Sequence, residues 1–227
     1  MPEHPLDRPA WNALTTRQAH LADGDARAVR LKADYGMFVA AADRSPGSLA
    51  ALAALVRAGD KVGTVEAARD WPPVPGVVSD IHSVVQMVVT RPAAGTPARF
   101  EIVDLTDADG PEMLALATLT RPGPFRSRTH QLGDFVGVKE SGRLIAMAGE
   151  RLRLPGFTEV SGVCTLPEHR GRGLAGALMR VVMGRIVARG ETPFLHAYAA
   201  NTGAIGLYEG LGFDVRCDIV FTVLTQP

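Results

Sequence analysis

The sequence predicts a mixed α/β fold, and three observations carry that reading. Apolar runs rich in β-branched residues alternate with runs of helix formers along the whole chain. Residues 174–189 have helical periodicity and lie between two strand-like runs, 159–165 and 194–199, which implies a crossover between neighbouring strands of one sheet. Glycine and proline clusters separate the runs at intervals typical of short connections.

In chain order, residues 11–21 place Trp11, Leu14 and Leu21 on one helical face. Residues 35–42 (YGMFVAAA) and 61–66 are expected as strands, with a helix between them at 48–57 (SLAALAALVR) that Gly59 stops. Another β-branched run covers 77–89. Residues 90–97, with two prolines and a glycine, form the expected linker. It divides the chain into a first region, 1–95, and a second, 99–227, each of single-domain size. In the second region 100–105 (FEIVDL) is a strand, and Thr106 or Asp107 caps a helix through Met113, Leu116 and Leu119. Pro122-Gly123-Pro124 ends that helix. Strands follow at 135–139 and 144–151, joined by the hairpin Glu140-Ser141-Gly142-Arg143, and then at 159–165. A helix from 173 to 189, a strand at 194–199, a short helix at 202–210 and a strand at 214–224 complete the order.

Charge and composition exclude several classes. Lys and Arg total 24 and Asp and Glu total 24, so the net charge is zero, against the Lys/Arg excess of a nucleic-acid module. Hydrophobic residues at 46% and charged residues at 21% suit a packed core rather than a disordered chain. No apolar stretch approaches membrane-spanning length and no secretory leader is visible at Met1-Pro2-Glu3-His4-Pro5, so a cytoplasmic protein with no membrane partner is expected. Cys164 and Cys217 are expected to stay reduced, and neither has a His or Cys neighbour at zinc-site spacing, so no metal is expected.

The most informative stretch is 166–176, Leu-Pro-Glu-His-Arg-Gly-Arg-Gly-Leu-Ala-Gly. It joins a strand to a helix whose apolar face is Leu174, Ala177, Leu178, Val181, Val182 and Ile186. Backbone N–H groups of a glycine loop and first helical turn, with the helix dipole behind them, make an anion site. Gly171, Gly173 and Gly176 match the dinucleotide fingerprint, but five residues separate Thr165 from Gly171 and the next strand ends without an acid for a ribose. A nucleoside-triphosphatase loop fails because no Gly-Lys-Ser/Thr follows.

Arg170-Gly171-Arg172-Gly173-Leu174-Ala175 matches R/Q-x-x-G-x-G/A instead, with Val163-Cys164-Thr165 and Pro167 before it and Asn201, Ala204, Leu207-Tyr208-Glu209 and Leu211-Gly212-Phe213 after it. In this ordered series residues 100–224 resemble the GNAT superfamily of acyl-CoA-dependent N-acetyltransferases. The resemblance implies the GNAT fold for 99–227, preceded by a smaller α/β region whose strand and helix mixture is compatible with a degenerate GNAT-like half. It also implies acetyl transfer from acetyl-CoA to a primary amine of a small molecule or peptide, by direct attack through a tetrahedral intermediate. The protein would be a monomer or homodimer. The alternative is a non-catalytic acyl-CoA-binding or sensor module, and a nicotinamide oxidoreductase is a more distant third class.

The same resemblance implies the site. Backbone N–H groups near Val163 and Cys164 would polarise the thioester carbonyl, and Gly162 would help that strand bulge. Tyr208 would protonate the departing sulfur, against the plainer reading of a packing aromatic. Glu159, four positions before Val163, is the expected general base, weighed evenly against a strand-end charge, with Glu150 as a fallback. Arg170 and Arg172 would meet phosphates beside His169, and Asn201 would hold the pantetheine arm. The full cofactor set is Val163, Cys164, Thr165, Arg170, Gly171, Arg172, Gly173, Leu174, Ala175, Asn201, Ala204 and Tyr208. A base or water path is needed because only about one alkylamine in a thousand is neutral at pH 7. His196 and Tyr198 have two readings, a structural role, which is the one expected, and a place lining the acceptor site; Cys164 is excluded as an acyl carrier because nothing electropositive lowers its pKa. Arg126 and Arg128 stand in the loop expected to meet the acceptor.

Overall fold

The computed structural model describes residues 4–67, 71–89, 91, 93 and 99–227. In the first region, helices α1 (Pro9–Leu14) and α2 (Pro46–Ala54) accompany a three-stranded antiparallel sheet of β1 (Ala22–Gly24), β2 (Ala28–Leu31) and β3 (Val39–Ala41). The strands β4 (Val62–Glu66) and β5 (Val78–Val89) follow. The second region contributes β6 (Val103–Leu105), α3 (Gly110–Thr120), β7 (Phe135–Glu140), β8 (Arg143–Leu154), β9 (Phe157–Thr165), α4 (Leu174–Ala188), β10 (Thr192–Tyr198), α5 (Thr202–Glu209) and β11 (Phe213–Thr225). This is the mixed α/β architecture read from the sequence.

The large sheet has the order β4-β11-β5-β10-β9-β8-β7-β6. Its one parallel pair is β9 with β10, joined by the α4 crossover, and the other pairs are antiparallel. β5 is inserted between β10 and β11, pairing with β11 from Phe213↔Val89 to Thr225↔Val78. The boundary near residue 95 therefore does not separate two sheets, because strands from before it complete the sheet of the second region. Residues 90, 92 and 94–97 of the expected linker lie outside the described residues. At Ala93 the backbone N–H donates to the Leu211 carbonyl at 3.1 Å.

Two layers cover the sheet. On one face α3 and α4 bury Met113, Leu116, Leu178, Met179, Val182 and Ile186 against Phe135, Ile145, Met147 and Leu195. On the other, the start of the chain and α1 bury Leu6, Ala10 and Leu14 against Leu152, Leu154, Phe194 and Ile219. Helix α2 packs Leu52 with Val62 and Leu224 at the sheet end.

Local differences from the sequence reading have local causes. The helix expected over 11–21 ends at Leu14, where the Thr15 and Thr16 hydroxyls donate back to the carbonyls of Trp11 and Asn12, a side-chain bond that competes with helix continuation. A 3-10 turn, Ala19–Leu21, takes the remainder. The strand expected over 35–42 is regular only at β3, because Tyr35 turns its carbonyl to the Thr129 hydroxyl instead.

Candidate active site

The site is the place where β9 and β10 part. They pair at only three positions, Thr192↔Phe157, Pro193↔Thr158 and Phe194↔Glu159, and then diverge. The cause on β9 is a bulge: Met147 faces Cys164, yet Gly149, two residues on, faces Ser161, three residues back. Gly162 sits in that bulge at φ 64, a conformation that favours glycine. On the other side β10 follows β5 instead, with Ala197 opposite Val85 and Tyr198 opposite Val84. The V-shaped cleft between them is lined by Val163, Asn201 and Tyr208, all expected site residues, and by Ser161, Arg151, His196 and Tyr198. Its apolar wall is Phe38, Val65, Val84 and Phe221, and the Pro122-Gly123-Pro124 turn closes one side. Three of those wall residues come from the first region. Arg126 and Arg128 are not on the wall; the Arg128 guanidinium lies over the Tyr35 ring at 4.7 Å.

The glycine loop enters α4 through Gly173, which is its N-cap at φ 78, with Gly171 at φ 76. A β carbon at either position would meet nothing within 4 Å, so both face open space. N–H groups of the first α4 turn, from Leu174 and Ala175 onward, have no carbonyl one turn back and remain free for an external acceptor. Leu174 itself is buried in the core, so only its backbone can serve a ligand. Arg170 is exposed, with Nε 3.4 Å from the Thr165 carbonyl. Arg172 is engaged elsewhere: it donates to Glu140 at 3.1 Å and to His169 Nδ1 at 2.7 Å, and this guanidinium holds the Glu140 carboxyl below its ordinary range. Of the two expected phosphate ligands, Arg170 is the one without an ion pair among the described residues.

Tyr208 is half-buried, packs edge-on against Phe213 with ring centroids 6.1 Å apart, and borders the cleft. Burial pushes its phenol pKa up, so the hydroxyl keeps its proton through neutral pH. Asn201 caps α5 by accepting from the Ala204 N–H at 3.2 Å, which leaves its amide nitrogen for the cleft it lines. Cys164 is buried, and desolvation pushes its thiol up to about 11, which matches its exclusion as a nucleophile. Thr165, also buried, ends β9.

Glu159 occupies a different place from the one expected of a general base. Its side chain has zero exposure and does not line the cleft. Arg151 donates to both carboxylate oxygens, Nε at 2.8 Å and Nη2 at 2.7 Å, and His196 Nδ1 lies 2.7 Å from Oε1. Burial alone would raise its pKa, but Arg151 and His196 outweigh it and hold the group at about 2. The Leu152 N–H also lies 3.4 Å from Oε2, so all four acceptor sites of the carboxylate face donors of the protein itself. The partner that fixes it, Arg151 on β8, is eight residues away, across a register shift that a strand pattern does not reveal.

The same network fixes the histidine. Arg216 donates to Gln86 Oε1 at 2.8 Å, and Gln86 Nε2 donates to the Leu6 carbonyl at 2.8 Å, which sets the amide's orientation. That Nε2 is 3.1 Å from His196 Nε2, so this ring nitrogen accepts and Nδ1 carries the proton given to Glu159. The fallback, Glu150, is fully buried too; Arg189 binds it at 2.6 Å, away from the cleft.

Acid sensitivity follows from Glu159. Its folded pKa lies below the ordinary carboxyl value, so its contribution is complete above about pH 4.5 and is lost as pH falls toward about 2. Urea midpoints measured from pH 7 to pH 2 are expected to fall through that window in the native chain. In Glu159→Gln the part of the fall due to this group is expected to vanish.

Comparison with known proteins places these features. A family model described as FR47-like protein matches residues 135–222, the span from β7 to β11. The chain is 46% identical to a GNAT-family protein from Novosphingobium aromaticivorans described as an acetyltransferase; the match covers 99% of this chain and 100% of that one, with a TM-score of 0.91. A GCN5-related N-acetyltransferase from Kribbella flavida shares the fold at 17% identity, covering 96% of each chain with a TM-score of 0.66. Among curated proteins, the mycothiol acetyltransferase of Corynebacterium urealyticum is 40% identical over 65 residues, 28% of this chain, so the match spans only 19% of that relative's length.

Proposed function

The chain belongs to the GNAT family of acetyltransferases, and from that premise we propose that it transfers the acetyl group of acetyl-CoA to a primary amine. The observation that carries the reading is the cleft between β9 and β10, where the β9 bulge, the Asn201 amide and the protonated Tyr208 hydroxyl face one space. Acetyl-CoA supplies an acyl group activated as a thioester. Backbone N–H groups of Gly171, Gly173, Leu174 and Ala175, with Arg170, hold its pyrophosphate, and the open space at both glycines fits such a group. The Asn201 amide steadies the pantetheine arm. N–H groups at Val163 and Cys164, beside the bulge, polarise the carbonyl oxygen as negative charge develops there. Tyr208 delivers its proton to the sulfur as the C–S bond breaks.

The amine's own proton leaves by water. No carboxylate lines the cleft among the described residues, and His196 Nε2 already accepts from Gln86. Glu159 then serves the reaction by anchoring Arg151 and His196 rather than by touching the amine.

Acceptor-dependent release of free thiol from acetyl-CoA tests the reading as a whole. Tyr208→Phe tests the acid within it: kcat is expected to fall about 100-fold or more with the acetyl-CoA Kd unchanged within about twofold. An unchanged kcat, with chemistry rate-limiting, removes Tyr208 from the mechanism.

A further inference from the structure

We propose that the acceptor is an α-amino amide, a primary amine with an uncharged carbonyl on the adjoining carbon and an apolar body, and that Arg151 Nη1 reads the carbonyl. The inference rests on the acyl-transfer reading above and names its acceptor.

Arg151 has five N–H donors in a fixed fork, and Glu159 uses those of Nε and one of Nη2. Its Nη1 has no hydrogen-bond partner among the described residues and stands beside the Pro122-Gly123-Pro124 turn, where a β carbon at Gly123 would come within 3.9 Å of it. The guanidinium carbon lies over the Phe38 ring, 4.9 Å from its centroid, and the side chain is only 12% exposed. Among the described residues no protein oxygen fills this Nη1, and it stands on the cleft wall where an oxygen of a ligand can accept from it.

Charge decides which oxygen. Glu159 already cancels the Arg151 charge, so a ligand carboxylate would leave a net negative charge in a partly desolvated cleft. A carbonyl takes the same hydrogen bond and adds no charge. Acceptors with a second ammonium fare worse still, because among the described residues no carboxylate on the wall would pair with it. The remaining wall, Phe38, Val65, Val84 and Phe221, is apolar and accounts for the body of the acceptor. A free aminoacyl amide and a peptide N terminus share this chemistry.

The test measures acetyl-CoA Kd by calorimetry and thiol release with L-leucinamide, a tripeptide amide beginning with leucine, L-leucine, 3-methylbutylamine and spermidine. In the native chain kcat/KM is expected to be highest for leucinamide, the tripeptide or both, with leucine and spermidine at or below 3-methylbutylamine. A tripeptide at least as good as leucinamide identifies the peptide N terminus, and leucinamide alone identifies the small amide. Arg151→Lys, which keeps a cation for Glu159 but removes Nη1, is expected to lower the leucinamide to 3-methylbutylamine ratio by about 10- to 100-fold while acetyl-CoA Kd holds. The ratio is compared between enzymes because the amide's effect on its own amine is common to both. Arg151→Met with Glu159→Gln, which removes both charges together, is expected to lower it equally. A ratio unchanged in both variants, a native preference for leucine or spermidine, or acetyl-CoA binding with no thiol from any amine each overturns the acceptor class while the donor reading stands. Failure to bind acetyl-CoA overturns the donor reading itself, and the acceptor inference with it.

Discussion

Gly173→Val is expected to abolish acetyl-CoA binding while leaving the fold in place. The position combines φ 78 with open space where a β carbon would point. Valine there loses about 1–2 kcal/mol to left-handed strain, and the helix start shifts to relieve it. Whatever the shift, the isopropyl group occupies the space in front of the free N–H groups of α4. Each such hydrogen bond to a phosphate oxygen is charge-assisted and contributes about 1.5–3 kcal/mol, so losing two weakens binding by at least about 100-fold. Calorimetry with acetyl-CoA reads the loss, and an unaltered far-ultraviolet circular dichroism spectrum shows that the helix remains. Gly173→Ala, with a smaller side chain, is expected to fall between. Binding by the valine variant within tenfold of the native chain would mean that the pyrophosphate lies elsewhere.

Glu159→Ala is expected to cost about 3–5 kcal/mol of stability, the penalty for leaving a buried cation without its counter-ion. Arg151 would keep its position over Phe38 with two donors unanswered, and His196 Nδ1 would lose its acceptor. For a chain of this size the thermal midpoint should fall by about 6–20 °C. Glu168→Ala is the matched control, because its exposed contact with Arg143, at 3.8 Å, is worth about 0.5 kcal/mol or less. A loss below about 1 kcal/mol in Glu159→Ala would show that water reaches Arg151 and takes over the carboxylate's role.

The second region was legible because its signals are local. Helix α4, the hairpin β7–β8 and the glycine loop each follow from residues within one turn or one alternation of one another. Val163, Asn201 and Tyr208 reach one cleft because a strand, a crossover helix and a second strand leave little choice of topology. Long-range pairings were not legible. Nothing in residues 78–89 announces that β5 inserts between β10 and β11, since its alternation would suit any sheet. Hence the first region looked uninformative, although Phe38, Val65 and Val84 build the wall on which an acceptor would rest. A similar blindness affected Glu159. A carboxylate four residues before Val163 looks like a base until the arginine on the next strand is seen to hold it. In both cases the missing term was a partner distant in sequence.

Acyl transfer from acetyl-CoA to an amine is read from its stoichiometry. Acetyl-CoA labelled in the acetyl group is incubated with the protein and L-leucinamide, with free thiol measured spectroscopically and N-acetyl product by mass spectrometry. One labelled amide is expected per thiol released, both dependent on the amine and both lost in Gly173→Val. Acetyl-CoA binding without amine-dependent thiol or labelled product from any amine would contradict it and would make the chain a holder of acyl-CoA rather than an acetyltransferase.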